Sequence, residues 1–187
     1  MIGRLSLGKH CRDWRRLGSL LGLLCMCLPP SALAGDLEQQ VKASFVYNFA
    51  KFIKWPISAI KNTNAPFCIC IEGNQPLSGN INLLQGRQVD GHKIEVVTIT
   101  EPREWRNCNI LFIGDSEAHR VASILKNVAA LPVLTISDLP NFVHSGGIIG
   151  LNVLDHRVRF DINLAVAQKA KLNIDSQLLK LAVKVLQ

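Results

Sequence analysis

Short apolar runs that alternate with longer segments of helical periodicity most strongly constrain the fold of this chain. The runs FCICIEG (67–73), KIEVVTI (93–99), NILFIG (109–114) and PVLTIS (132–137) are typical of strands, and NILFIG has the unbroken apolar character of a central parallel strand. Between the last two runs, SEAHRVASILKNVAAL (116–131) predicts an amphipathic helix. Strands alternating with helices predict an α/β fold: a single layered domain with a mixed, mostly parallel sheet flanked by helices.

The second half of the chain adds a hairpin and two further helices. The runs IIGLNVL and VRFDIN predict a β-hairpin that turns at Asp155-His156. Two closing helices, LAVAQKA and SQLLKLAVKVL, follow, and Asp175 is placed to be the N-cap of the second.

A helix is also predicted over residues 36–53, with Asp36 as its cap. The Trp-Pro pair at 55–56 forbids its continuation. One side carries large apolar residues at spacings of four and three: Val41, Phe45, Phe49 and Phe52. That stripe predicts core packing, whereas the lysines at 42, 51 and 54 lie off it.

The first 34 residues have the composition of a secretory signal peptide. A basic leader precedes the apolar run LGSLLGLLCMCL, and the small-residue site ALA follows at 32–34. The sequence therefore predicts that residues 1–34 are removed on export, and that residues 35–187 form one domain that is not embedded in the membrane.

Net charge gives no support to nucleic-acid binding once this leader is set aside. The whole chain has 21 Lys and Arg against 14 Asp and Glu, a net charge of +7, but the leader holds five of the bases and one of the acids. The remainder therefore carries only about +3, without the basic excess typical of nucleic-acid binding.

Three cysteines remain after the leader: Cys68, Cys70 and Cys108. In an oxidising compartment this number indicates one disulfide and one further thiol. Cys68 and Cys70 lie two residues apart in a predicted strand and share a sheet face, so either could reach Cys108. A C-x-C redox or metal pair lacks the nearby ligands that would complete it.

The sequence predicts neither an enzyme nor a cofactor or metal site. The loop at the end of PVLTIS lies at the carboxyl end of a strand, where α/β domains place their sites, and it offers Ser137, Asp138, His144 and Ser145. The G-x-S-x-G nucleophile elbow is missing, however, as are the P-loop and dinucleotide motifs, and the histidines are scattered singly. Gly146 and Gly147 are explained more simply by positive φ before the next strand.

Two surfaces are candidates for a partner or ligand. Tyr47, Lys51 and Lys54 form a second face of the first helix, which is either a partner surface or a plain solvated face. Alternation in RVRFDIN places Arg157 and Arg159 on one face of a strand, where they could meet a carboxylate or an acidic partner, or simply pair with Asp161 or a neighbouring carboxylate.

Several blocks of the sequence, in order, resemble the YfiR family of periplasmic proteins. They are VKASFVYNFAKFIKWP, CIEG, CNILFIG, PVLTISDLPNFVHSGGIIGL and VRFDINLAVAQKAKLNIDSQLLKLA, and they cover essentially all of residues 35–187. The resemblance implies a redox-sensitive disulfide between the cysteine of CIEG, Cys70, and that of CNILFIG, Cys108. Cys68 is not part of that pattern and leaves room for an alternative bridge.

The resemblance also implies a function. YfiR-like proteins are non-enzymatic homodimers that repress a membrane diguanylate cyclase by engaging its periplasmic region, which lowers cyclic-di-GMP and biofilm formation. An outer-membrane lipoprotein can relieve the repression by sequestering them. The alternative function is a periplasmic sensor module that binds a small ligand in a concave polar pocket.

Overall fold

The structure, a computed structural model, describes residues 31–60, 65–74 and 76–187. The helices of this part are α1 (Ser31–Phe52), α2 (Leu77–Asn82), α3 (Val121–Val128), α4 (Leu164–Lys169) and α5 (Ser176–Leu181). The strands are β1 (Ile53–Lys54), β2 (Phe67–Glu72), β3 (Gln88–Val89), β4 (His92–Ile99), β5 (Ile110–Ile113), β6 (Leu134–Ser137), β7 (Ile149–Leu154), β8 (Arg157–Asn163), β9 (Asn173–Ile174) and β10 (Val185–Leu186). Residues 1–30 of the predicted leader lie outside the described residues.

An eight-stranded sheet in the described residues has the order β10-β8-β7-β6-β5-β2-β4-β3. Its strands β7, β6, β5, β2 and β4 run parallel, while β8 is antiparallel to β7 and β3 is antiparallel to β4. The predicted fold class, a mixed and mostly parallel sheet flanked by helices, is therefore confirmed. A separate pair, β1 with β9, holds the end of α1 against the region before α5.

Two apolar cores lie on opposite faces of this sheet. One is crossed by a row of register partners: Ile71, Phe112, Ile136, Ile149 and Ile162. Onto this face α1 packs its aromatic stripe, where the Phe49 ring meets the Phe160 ring edge-on at 5.0 Å between centroids. The other face is covered by α3 and contains Cys70 and Cys108.

The first helix starts earlier than predicted. It begins at Ser31, so Asp36 lies inside it and is not its cap. Instead, the Asp36 carboxylate accepts a hydrogen bond of 2.8 Å from the Gln40 side chain one turn later. The helix ends at Phe52, as the following Trp-Pro pair indicates, and Trp55 then packs edge-on against Phe67 at 5.0 Å.

The hairpin turn is confirmed. Asp155 and His156 both have positive φ, 49° and 59°, as a two-residue type I′ turn between β7 and β8 requires. The helix predicted over 116–131 is shorter in the structure, where α3 spans Val121–Val128. Its beginning is displaced because Asp115–Glu117 forms a 3₁₀ turn before it.

The end of the chain contradicts the predicted closing helix. Asp175 caps α5 as expected, accepting from the Gln177 backbone at 2.7 Å, but α5 ends at Leu181 because Ala182 is extended, with ψ of 143°. From there the backbone pairs with β8: the Val183 N–H donates to the Phe160 carbonyl at 2.9 Å, and β10 runs parallel to β8. Pairing with a strand distant in sequence overrides the local helical pattern.

The two glycines before β7 have different roles. Gly146 has a φ of +98°, which confirms the predicted backbone role. Gly147 does not have positive φ; there, a Cβ atom would collide with the ring of Phe142. In the loop between β6 and β7, the Phe142 ring therefore packs directly against the backbone of Gly147.

Candidate functional site

The carboxyl edge of the parallel strands is occupied by structural contacts. Ser137, at the end of β6, is fully buried; its hydroxyl donates to the Ile113 carbonyl at 2.7 Å and accepts from the Leu139 backbone at 3.1 Å. Asp138 accepts from Lys42 at 2.8 Å, and His144 is exposed. Ser137 and Asp138 therefore fix the loop after β6 instead of presenting reactive groups.

Lys42 is buried, which the sequence pattern did not reveal. Its Nζ lies 2.8 Å from both Glu38 Oε1, one turn earlier on α1, and Asp138 Oδ2. Burial lowers the pKa of Lys42, but its hydrogen bonds to Asp138 and Glu38 and their charges outweigh burial, so the net pKa is raised. This contact joins α1 to the loop that follows β6.

A second buried charged group, the carboxylate of Glu72, lies at the end of β2 and was also missed. It accepts from the Trp105 indole at 2.8 Å and from Arg120 at 2.9 Å. The hydrogen bond and charge of Glu117, followed by those of Glu72, raise the pKa of Arg120. Because Glu72 has both partners, it acts as a hydrogen-bonded anchor for the chain on either side of β5.

The disulfide joins Cys70 to Cys108, with 5.8 Å between Cα atoms and a sequence separation of 38. This confirms the pairing that the family resemblance implied over the alternative through Cys68. Both half-cystines are nearly inaccessible and belong to the core beneath α3. The bond links the middle of β2 to the residue that follows the 3₁₀ helix Pro102–Asn107, and so clamps two neighbouring strands of the sheet.

A cleft of about 390 Å³ lies beside the disulfide. It is open to solvent near the beginnings of β2 and β4, and its lining mixes polar and apolar groups, among them Ser58, Cys68, His92, Arg106 and Asn109. His92 is held by its Nδ1, 2.8 Å from the Ala65 carbonyl. No group of three or more His, Cys, Asp or Glu side chains suited to a metal ion occurs in the described part of the chain.

The structure places Tyr47 mainly in internal contacts. The Tyr47 hydroxyl donates to the Gln88 carbonyl at 3.1 Å, and the Arg87 guanidinium lies 4.1 Å from the ring centroid. Lys51 Nζ is 5.1 Å from the same centroid, while Lys54 is exposed on β1. Tyr47 and Lys51 thus share a face, on which the ring is partly covered by Arg87.

Arg157 and Arg159 border a groove between α1 and the β7–β8 hairpin, which we call the α1–hairpin groove. Its volume is about 560 Å³, and its lining includes Leu37, Val41, Phe45, Val153 and the two arginines. Among residues 31–60, 65–74 and 76–187, neither guanidinium has a carboxylate within ion-pair distance. Asp161 instead accepts from Asn152 at 3.1 Å, so the predicted alternative of an Arg159–Asp161 pair does not form.

The fold and these contacts define a disulfide-bonded α/β domain whose sheet edge is closed by structural ion pairs. The sequence model of a family described as YfiR/HmsC-like matches residues 39–183, and the chain belongs to that family. Its members are periplasmic, non-catalytic proteins that regulate diguanylate cyclases. The resemblance noted from the sequence is thereby confirmed.

Two solved structures are similar to this chain. One, a conserved domain protein from Vibrio cholerae O1 biovar eltor str. N16961, has a TM-score of 0.50 and 11% identity, covering 69% of this chain and 58% of that one. The other, the ABC domain in complex with L-Trp from Streptococcus pneumonia, has a TM-score of 0.47 and 11% identity, covering 64% and 55%. The chain therefore spans less than two thirds of either protein, and the first similarity concerns the fold alone.

Proposed function

We propose that this protein is a periplasmic repressor that binds the periplasmic region of an inner-membrane diguanylate cyclase and so lowers cyclic-di-GMP and biofilm formation. One observation carries the proposal: a YfiR/HmsC-like domain whose central strands are clamped by the Cys70–Cys108 disulfide. Such a bond persists in an oxidising compartment, and the predicted signal peptide would deliver the chain there.

The partners in this proposal are proteins. The repressor acts as a homodimer, and an outer-membrane lipoprotein relieves repression by sequestering it. Arg157 and Arg159, exposed and without an ion-pair partner in the described residues, are available for an acidic protein surface. No helix in that part of the chain is long and apolar enough to cross a membrane.

The disulfide is the redox-sensitive element of the proposal. Its reduction removes a constraint across 38 residues and loosens the contact between β2 and β5. A loosened repressor is degraded faster, so reducing conditions raise cyclic-di-GMP through a lower amount of protein.

Deletion of the gene in its own host, with cyclic-di-GMP measured alongside, tests this function. We expect deletion to raise cyclic-di-GMP, re-expression to restore it, and the oxidised protein to capture a diguanylate cyclase from solubilised membranes. Unchanged cyclic-di-GMP together with no captured cyclase would refute the proposal.

A small-ligand sensor module is the second candidate function, and the cleft beside the disulfide favours it. A volume of about 390 Å³ with mixed polar and apolar lining lies within the range of small-molecule sites. Under this alternative, Arg106→Ala would abolish binding of a metabolite retained by the protein purified from its host. A repressor without a ligand would retain none.

A further inference from the structure

The α1–hairpin groove exposes several large apolar side chains to solvent. Leu37 is 62% exposed, Val41 37% and Val153 45%. Clustered exposed apolar side chains of this kind mark a surface that another molecule covers. Farther along the same helix Phe49 is fully buried and Phe45 is half-buried, so the predicted core packing of the stripe fails at the exposed Val41.

The apolar residues of α1 in this groove form a regular row. Leu37, Val41 and Phe45 recur every four residues, which places them on one line along the helix. Eight residues of helix extend over about 12 Å, or roughly two turns. A row of this spacing is the ridge against which a second helix packs.

The opposite wall of the groove is basic. Arg157 and Arg159 line it, and His156 lies beside them in the hairpin turn. Neither guanidinium has an ion pair within the described residues, and both border an apolar surface. They favour an occupant that brings carboxylates of its own, because Arg binds carboxylates through two parallel hydrogen bonds. The occupant therefore combines apolar side chains on one side with acidic side chains next to them.

We propose that the α1–hairpin groove is the docking site for an amphipathic, acidic helix of about two turns in the periplasmic region of the partner protein. This inference rests on the proposed function for the identity of the partner. The helix lays its apolar side along Leu37, Val41 and Phe45 and directs its carboxylates to Arg157 and Arg159.

Two other occupants fit the groove less well. In a two-fold dimer the same patch meets itself, which would bring the arginines of one copy towards those of the other. The nearby carboxylate of Glu38 is already paired with Lys42 and does not compensate them. An anionic membrane surface fits less well because the groove is concave and the Glu38 carboxylate lies on its wall, where it would face the lipid headgroups.

Site-specific photo-crosslinking in the periplasm of the host tests the inference. A photoreactive residue replaces Val41 or Val153 in the groove, or Lys51 as a control outside it, and the cross-linked peptide is sequenced. We expect both groove positions to capture an acidic amphipathic segment and the Lys51 position not to capture it. If that segment belongs to a diguanylate cyclase, the result supports both the groove and the proposed function.

The other outcomes separate the two claims. Capture of an acidic amphipathic segment of a different protein supports the groove and contradicts the proposed function. Cross-links from the groove only to a second copy of this chain, only to lipid, or to nothing would overturn the docking site. So would capture of the partner through Lys51 alone.

A matched pair of charge reversals gives a second measurement. Arg157→Glu with Arg159→Glu should weaken the Val41 cross-link by about tenfold or more, because a reversed interface charge repels the partner carboxylates. The double variant Lys51→Glu with Lys54→Glu makes an equal change in net charge outside the groove and should leave the Val41 cross-link unchanged. An unchanged melting curve for both variants excludes misfolding, and equal cross-linking in both would overturn the inference.

Discussion

Lys42 and Asp138 are separated by 96 positions in the sequence, yet the Lys42 ammonium donates to the Asp138 carboxylate at 2.8 Å. Lys42 belongs to α1 and Asp138 directly follows β6, so this contact fixes the helix against the carboxyl edge of the sheet. Glu38 completes the arrangement from one turn away. The lysine is therefore shared between two carboxylates and held in place by both.

Removing Lys42 should destabilise the protein more than removing Asp138. Lys42→Met leaves two carboxylates without their cation, and we expect a loss of about 3 kcal/mol in the free energy of unfolding. Asp138→Ala leaves Lys42 paired with Glu38 and should cost about 1.5 kcal/mol. Urea unfolding measures both; an equal loss in the two variants would contradict the shared arrangement.

The same contact predicts a loss of stability at alkaline pH. The pKa of Lys42 is raised in the folded state above its ordinary 10.5, so the folded state holds this proton more tightly. The stabilisation is complete below pH 10.5 and is lost as the pH rises through the folded pKa. We expect the difference in unfolding free energy between wild type and Lys42→Met to be constant from pH 7 to 9 and to shrink above 10.5. A difference that does not change with pH would show that the ammonium charge is not responsible.

Loss of the disulfide should lower stability by about 4 kcal/mol, since the bond closes a loop of 38 residues. For a domain of this size that corresponds to a fall of roughly 10 °C in melting temperature. The variant is Cys70→Ser with Cys108→Ser, compared by calorimetry with Cys68→Ser, which leaves the bond in place. If the double variant has the same melting temperature as wild type, the proposed redox regulation through degradation also loses its basis.

Gly147→Ala should destabilise the protein by about 2 kcal/mol, because the added methyl group collides with the Phe142 ring. Combining it with Phe142→Leu should recover part of that loss, which a double-mutant cycle detects. Gly79→Ala is the control, since a Cβ there meets nothing within 4 Å and helix propensity favours it. If the two glycine variants are equally stable, the contact with Phe142 is not the reason for glycine at 147.

The sequence was sufficient to predict the parallel strands and the hairpin. Runs such as ILFI in β5 are buried on both faces, so every residue is apolar and the pattern is unmistakable. The turn at Asp155 and His156 was equally clear, because few residues tolerate positive φ.

The residues that the sequence pattern misplaced depend on partners far along the chain. Lys42 lies off the aromatic stripe and resembles a solvated lysine until Asp138 is brought beside it. Glu72 lies at the end of an apolar strand. No neighbouring residue in the sequence indicates that its carboxylate accepts hydrogen bonds from the Trp105 indole and the Arg120 guanidinium. In the same way, AVKVL has helical spacing but pairs with β8. The α1–hairpin groove could not be predicted either, because its two walls come from segments that are far apart in the sequence.

The pairing of Val183–Leu186 with β8 also protects the protein from self-association. Hydrogen bonds from this segment cover the outer edge of β8 around Phe160 and Ile162. A chain truncated after Leu181 would leave these backbone groups of β8 without their partners, on a strand with the apolar side chains of Phe160 and Ile162. Such an edge is a template for the strands of other copies, so truncated molecules would accumulate as amyloid-like aggregates before any loss of the core was detected.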